Sequence, residues 1–565
     1  MPQPSAATSR GTIFELLLLA LILAGCFVFP VLLMRGKSAT FDEVAHLPAG
    51  YSYLRTQSVK INPQHPPLIK ELCALPLLFM DLKLPVDEQA LRTGNPSLVY
   101  QWRFGKQFLF SQDADRILFW GRVPAVLLSL GLGVLIALWS RRLWGIWGAL
   151  LATALYLLDP TITAHAQLVT TDVGLAFFAT LFLFVLRGYL ESPSRARLAL
   201  AGVTLGLALG AKFSAVLLVP MVPVLLVAAA LPRREAAPPA KQEAAARGGK
   251  RKGNRSPAAA PKVSASIDWP RQVLIPSAVM LVGAFFVVWA LYFFAPDPFI
   301  YFKGMATVNR DHDPNYFPYL LGETHPGRWN SYLLIAYLVK TPLPELLLLF
   351  AAIFLFCARR EARAPWLDEA FLILPGLGFF LGYSFTADNL GVRYLIPCYP
   401  FFMIFAGRLG SWAGAARVWA KGALAALLLW MAAEYAAIWP DHLSYFNEIT
   451  GLPARGDLWL DDSNLDWGQG LMQLRDYLRA NPKQDFRLCY FGSGDPAYYG
   501  IGGRSISVQN LAAPPEPGTY ILSAHCVARA RAEMSRAYGE GARNWLATTA
   551  PKQVIGHVFQ IYEIR

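Results

Sequence analysis

IFELLLLALILAGCFVFPVLLM, residues 13–34, followed after a short polar gap by Thr40-Phe41-Asp42-Glu43-Val44-Ala45-His46, decides the fold class. A helix crossing the ~30 Å hydrocarbon core of a bilayer needs about 20 mostly apolar residues. The run 13–34 supplies them with one carboxylate, Glu15. It is too long for a signal peptide and lacks a small-residue cleavage site, so it reads as an uncleaved signal anchor. Further apolar runs occupy 117–139, 144–158, 171–190, 196–211, 213–231, 271–295, 343–358, 367–385, 392–408 and 416–438. Hydrophobic residues make up 55% of the 565 and charged residues 16%, against roughly 25% charged in soluble domains. That balance excludes a disordered chain and a small disulfide-stapled domain, and it argues against a soluble enzyme. The expected fold is an α-helical polytopic membrane protein with about eleven transmembrane helices (residues 1–440) and a small C-terminal α/β domain (441–565).

The net charge of +13 matters less than its distribution. Basic residues near span ends mark cytoplasmic loops. Arg141 and Arg142, then Arg187, Arg195 and Arg197, then segment 232–270, then Arg359, Arg360 and Arg363, and finally Arg408, Arg417 and Lys421 fall on alternate loops. The opposite loops, 35–116, 158–170, 296–342, 386–391 and everything after 438, mix both signs. The expectation is a multi-pass inner (plasma) membrane protein with a cytoplasmic N-terminus and an extracytoplasmic C-terminal domain. Segment 232–270, with Pro-Pro, Ala-Ala-Ala and Lys250-Arg251-Lys252, cannot bury enough apolar surface to fold alone and reads as a basic linker. Membrane lipids are expected partners; nucleic acid is not. In the C-terminal region, 469–480 is helix-like, while 487–491, 519–523 and 558–562 read as strands. Of the six cysteines, Cys489 and Cys526 share that region, as a disulfide or as buried thiols.

The first outer loop carries the adjacent carboxylates Asp42 and Glu43, which point in different directions in either helix or strand. Taken alone they cap a helix as readily as they act on a substrate. Further on, Gln64-His65-Pro66-Pro67-Leu68-Ile69-Lys70 precedes the apolar run 68–80. A helix N-terminus with Lys70 beside it forms an anion site, or the prolines simply make a rigid turn. Asp172 opens the span at 171 and reads alone as an N-cap. Lys212, Lys340 and Arg393 each read alone as snorkelling cations. The sidedness places all of these on the outer face. Carboxylates and several cations at one membrane face suit a lipid-phosphate substrate.

On these residues the chain resembles the polyprenyl-phosphate-dependent glycosyltransferases of the GT-C type, nearest to bacterial members of the dolichyl-phosphate-mannose–protein mannosyltransferase family. The shared pieces are Phe41-Asp42-Glu43, His65-Pro66-Pro67-Leu68, Leu168-Val169-Thr170-Thr171-Asp172, Lys340-Thr341-Pro342 and Gly391-Val392-Arg393-Tyr394-Leu395-Ile396-Pro397. Tyr445-Phe446-Asn447-Glu448 and Asp462-Ser463-Asn464-Leu465-Asp466-Trp467-Gly468-Gln469 also match. The resemblance implies inverting sugar transfer from a polyprenyl-phosphate donor to a protein, glycan or lipid acceptor on the outer side. It implies Asp42 and Glu43 as the catalytic pair, Asp42 as general base and Glu43 orienting the acceptor or supporting Asp42. It further implies His65, Lys70, Lys212, Lys340 and Arg393 as donor-phosphate ligands, with Asp172 supporting. No Asp-x-Asp set marks a metal, so the resemblance names no cofactor and leaves a divalent metal open. Gln167 stands where relatives often carry Arg, and Gln64-His65 where aminoarabinose-transferase-like members carry Glu-Lys, which sets the chain apart from those with a lipid A acceptor. Two other readings compete: a polysaccharide polymerase or ligase, for which Arg310, His312, His325 and Arg328 would serve, and a non-enzymatic transporter of lipid-linked sugars.

Overall fold

The computed structural model describes residues 6–93, 100–231, 267–310, 316–415, 418–451, 453–483, 485–539 and 545–565. Nearly all of the basic linker, with Arg417 and His312, lies outside the described residues.

Every expected span is helical in whole or part, but in unequal lengths. Among the described residues, six helices are long and apolar enough to cross a membrane: Ile13–Met34, Ala114–Leu158, Thr171–Glu191, Phe213–Ala230, Pro270–Leu291 and Trp366–Thr386. Tyr332–Lys340 and Leu343–Ala358 add a seventh if counted as one span bent by 112°. The expected eleven is therefore not reproduced by this measure. Arg195–Ala211 has only 17 residues and Leu343–Ala358 only 16. The run 392–408 divides into a 3-10 turn, Val392–Cys398, and a short helix, Tyr399–Ala406, with Pro397 and Pro400 removing backbone donors between them. The 45-residue stretch Ala114–Leu158 is in fact two helices. Gly145 has φ +71°, a conformation glycine adopts at little cost. The Ser129 and Tyr156 hydroxyls hydrogen-bond at 2.7 Å, although a straight helix would hold them about 40 Å apart. The chain reverses at Gly145, and the runs 117–139 and 144–158 lie side by side.

Charge separates toward the two ends of this bundle. Arg142 pairs with Glu191, Arg187 with Asp368 and Arg408 with Glu369, at 2.7, 2.7 and 2.8 Å. On helix Thr171–Glu191, Asp172 lies about 22 Å from Arg187 at 1.5 Å per residue, at the end that carries the first loop. That loop is itself helical, with Glu43–Thr56, Leu68–Ala74 and Tyr100–Phe110 folded over the bundle end. The run expected to lie at the interface continues as the 3-10 turn Leu75–Phe79, whose Leu75, Leu78 and Phe79 face outward.

In the loop 296–342, β1 (Tyr319–Leu320) and β2 (Glu323–Thr324) form a small antiparallel ribbon. The C-terminal domain is a five-stranded sheet of β3 (Arg487–Cys489), β4 (Arg504–Ser505), β5 (Gly518–Ser523), β6 (Gln553–Ile555) and β7 (Phe559–Ile564), in the order β4-β3-β5-β7-β6. β3 runs parallel to β4 and β5, whereas β7 is antiparallel to β5 and β6. Alternate residues of β5 and β7 pack into two small cores. Ile521, Phe559 and Ile561 lie on one face, and Leu522, Tyr520 and Tyr562 on the other. Cys489 and Cys526 are joined by a disulfide that ties β3 to helix Ala524–Tyr538. The sheet is bound firmly to the membrane body. Asp441, just past the last span, accepts from Lys37, from Gln473 at 2.9 Å and from His557 at 3.1 Å.

Candidate active site

Four separate element ends meet at the end of the bundle that carries the first loop. Asp42 occupies the position before helix Glu43–Thr56 without a side-chain capping bond, and Asp172 lies in the first turn of Thr171–Glu191. Lys212 ends Arg195–Ala211, and Arg393 sits in the 3-10 turn Val392–Cys398. Arg393 Nη1 donates to Asp42 Oδ2 at 2.8 Å and lies 3.9 Å from Asp172 Oδ2. Lys212 Nζ donates to Asp172 Oδ1 at 2.5 Å. The side chain of Asp42 keeps 18% of its surface exposed and that of Arg393 10%, while Asp172 keeps 1%. Asp42 is therefore partly open, Arg393 nearly buried and Asp172 fully so. The Arg393 guanidinium rests 4.3 Å above the Trp467 ring, and Lys212 lies 4.7 Å from the centre of the Tyr394 ring. Both cations are thus fixed in direction by aromatic faces.

Histidines complete one side. The rings of His46 and His65 meet edge to face at 4.9 Å, and His46 Nδ1 lies 3.1 Å from the Val169 carbonyl oxygen. Burial holds both imidazoles below the usual histidine range. His46, Lys70, Lys212 and Arg393 push His65 down further. A neutral imidazole keeps one N–H to donate. Several buried polar atoms around this centre have no partner among the described residues: Asp172 Oδ2, Arg393 Nε, Gln167 Oε1, Thr170 Oγ1 and His165 Nε2. Other orphaned polar atoms lie elsewhere in the chain, among them Ser140 Oγ, Thr180 Oγ1 and Glu345 Oε2, but these five border the Asp42–Arg393 centre.

Four of the residues marked in the sequence are engaged by the protein itself, and for Glu43 this is a supporting role beside Asp42. Glu43 is fully buried and its carboxylate is saturated. Oε1 accepts from Arg122 Nε at 2.8 Å and Val169 N at 3.1 Å; Oε2 accepts from Arg122 Nη2 at 2.7 Å, Thr40 N at 2.9 Å and Thr40 Oγ1 at 3.0 Å. Arg122 also donates to the carbonyls of Met34, Lys37 and Ser38. Glu43 is thus the bolt that fixes its neighbour Asp42. Lys70 donates to Asn62 O at 2.7 Å, Asn62 Oδ1 at 2.9 Å, His65 O at 2.8 Å and Tyr53 OH at 3.2 Å. It holds the Pro66-Pro67 turn and has no proton left for a phosphate. Lys340 gives its protons to the carbonyls of Leu443, Tyr445 and Asn464, so it too is a clamp. Arg328 is likewise committed, to the carbonyls of Phe385 and Thr386.

The C-terminal motifs prove to be the site's scaffold, which pattern reading did not reveal. Asn464 Oδ1 accepts from Val392 N at 2.8 Å and Ser463 Oγ donates to Leu390 O at 2.6 Å. Between them Gly391 approaches so closely that an added Cβ would lie 2.2 Å from Ser463 Oγ. Trp467 O accepts from Phe41 N at 2.8 Å, while its ring supports Arg393. The strap 461–469 thereby sets both halves of the Asp42–Arg393 pair. Asn447 in turn bonds the carbonyls of Leu338 and Thr341. A buried Asn or Ser bonding to backbone looks in sequence like any polar residue.

Residues 19–235 match the family model described as dolichyl-phosphate-mannose-protein mannosyltransferase. The chain is a membrane glycosyltransferase. The matched segment holds Asp42, His65, Asp172 and Lys212, while Arg393 lies beyond it. Among solved structures, the chain is similar to ArnT from Cupriavidus metallidurans bound to undecaprenyl phosphate, 14% identical, over 97% of this chain and 98% of that one, with a TM-score of 0.48. It is also similar to the oligosaccharyltransferase AglB from Archaeoglobus fulgidus in complex with an inhibitory peptide and a dolichol-phosphate, 10% identical, over 91% of this chain and 70% of that one, with a TM-score of 0.40. No curated protein matches the sequence. Among the described residues, no group of three or more His, Cys, Asp or Glu could hold a metal ion.

Proposed function

We propose that this glycosyltransferase moves a sugar from a polyprenyl-phosphate donor to an acceptor on the outer side of the membrane, with inversion at the anomeric carbon. The observation that carries this reading is the pairing of Asp42 with Arg393 at 2.8 Å, backed by Asp172 and Lys212. A carboxylate and two cations share one half-open centre, as an acceptor proton and a departing phosphate together require. In the resting protein Asp42 and Arg393 satisfy each other. A donor phosphate entering beside Arg393, Lys212 and His65 competes for the guanidinium and releases the Asp42 carboxylate. The acceptor oxygen then attacks the anomeric carbon opposite the phosphate. The new C–O bond forms as the C–O bond to phosphate breaks, and the acceptor proton passes to Asp42. The bonding electrons leave with the lipid phosphate, whose charge the preorganised cations stabilise. The basic loops at the far end of the bundle support an outward-facing site.

The test is Asp42→Asn. Transfer from a polyprenyl-phosphate sugar falls by roughly 10²–10⁴, the usual contribution of a general base, while undecaprenyl phosphate still binds. Unchanged transfer in this variant removes Asp42 from the role.

A further inference from the structure

A second cleft, of about 400 Å³, lies between the C-terminal domain and the loop 296–342. Tyr316 and Phe317 form one wall, Gln509 another, and Glu533 and Arg536 project from helix Ala524–Tyr538. Phe491 lines it as well, stacked on His525 with ring centres 3.7 Å apart. The Cys489–Cys526 disulfide lies in its wall, each cysteine within two residues of one stacked ring. The volume is that of a small-molecule site.

The cleft connects to the reaction centre by direct contacts. Phe491 stacks on Phe41, the residue before Asp42, at 5.6 Å, and Ser493 Oγ donates to Phe41 O at 2.6 Å. On the other side, Tyr316 and Phe317 also line an adjoining cleft of about 380 Å³ with Asn389 and Leu390, just ahead of Arg393. A molecule seated here would lie against the segments carrying both Asp42 and Arg393.

Tyr316 and Phe317 each carry a guanidinium on the ring, Arg529 at 4.6 Å and Arg536 at 4.3 Å, and stand beside accessible polar side chains. Gln509 is exposed and Glu533 half-buried at the cleft, so both side chains are accessible to a ligand. This combination matches a pyranose, whose C–H face packs on an aromatic ring while vicinal hydroxyls bond in pairs to a carboxylate, an amide or a guanidinium. We propose that the cleft is the acceptor site and that the acceptor presents a saccharide there, directing one hydroxyl toward Asp42. The proposal rests on the glycosyl-transfer reading above and names the acceptor class for it.

The full chain in lipid nanodiscs would be titrated with mannobiose, chitobiose and methyl α-mannopyranoside by saturation-transfer NMR, and separately with undecaprenyl phosphate. The expected result is saturable binding of at least one disaccharide, weakened tenfold or more by Gln509→Ala and by Glu533→Ala, with undecaprenyl phosphate binding unchanged in both. These side chains lie at the cleft surface, so folding survives their removal. Three results overturn the proposal: no saccharide bound by a protein that binds undecaprenyl phosphate, equal saccharide binding by the variants, or binding of an extended peptide in place of sugars with the same variant sensitivity. Failure of undecaprenyl phosphate to bind the unaltered protein would instead count against the donor assignment.

Discussion

Replacing Glu43 with Gln keeps the shape and removes the charge, and the hydrogen bonds around the carboxylate set the cost. Five donors converge on it: two from Arg122, two from Thr40 and the Val169 amide. A glutamine NH₂ in either orientation meets at least two of them donor to donor. Arg122 loses its counter-ion while 1% exposed. Breaking a buried pair costs about 3–5 kcal/mol. At about 2.1 cal/mol/K per residue, unfolding all 565 residues carries an entropy near 1.2 kcal/mol/K, so the apparent melting midpoint falls by roughly 3–4 °C. Asp42 shares this backbone turn, and a displacement of about 1 Å at a reacting group can cost on the order of 10²-fold in rate. Thermal denaturation in nanodiscs and transfer kinetics on the same preparation are the assays. Both quantities should fall together. Loss of transfer with an unmoved midpoint would mean that Glu43 acts on substrate. No change in either would refute the positioning argument.

Lys340→Met leaves three buried carbonyls without their donor, at about 1–3 kcal/mol for each unsatisfied group. It should lower the melting midpoint while leaving undecaprenyl phosphate affinity, measured by titration, unchanged; a selective loss of affinity would return Lys340 to the donor site. Reducing the Cys489–Cys526 disulfide, which closes a loop of sequence separation 37, should destabilise the C-terminal domain by about 4 kcal/mol on the chain-entropy account. Proteolysis with and without reductant reads this out. Burial pushes the Asp466 carboxyl up to about 7. Between the unfolded value near 4 and pH 7 the folded state therefore holds the extra proton, and this group's contribution to stability shrinks as pH rises through that window. Asp466→Asn should flatten the dependence of the melting midpoint between pH 5 and 8, and an unaltered slope counts against it.

The membrane class, the helical runs and the location of Asp42, His65, Asp172, Lys212 and Arg393 at one end of the bundle were legible in residue order. Hydrocarbon thickness and the cost of buried charge act on composition along the chain, and both leave periodic marks in it. The division of 114–158 into two spans was legible too, as a break between the apolar runs 117–139 and 144–158, although the turn itself falls at Gly145, inside the second run. The separate duties of Asp42 and Glu43 were not, because adjacent carboxylates look alike until their surroundings are known. Tertiary packing placed Arg122, 79 positions away, against Glu43 and left Asp42 half open. It turned Lys70 and Lys340 into clamps by surrounding each ammonium with carbonyls from distant turns. It also gave the strap 461–469 its role in seating Arg393. Hydropathy and charge act locally and so are written in order along the chain. Which donor meets which acceptor depends on contacts hundreds of residues apart, and only the folded chain decides it.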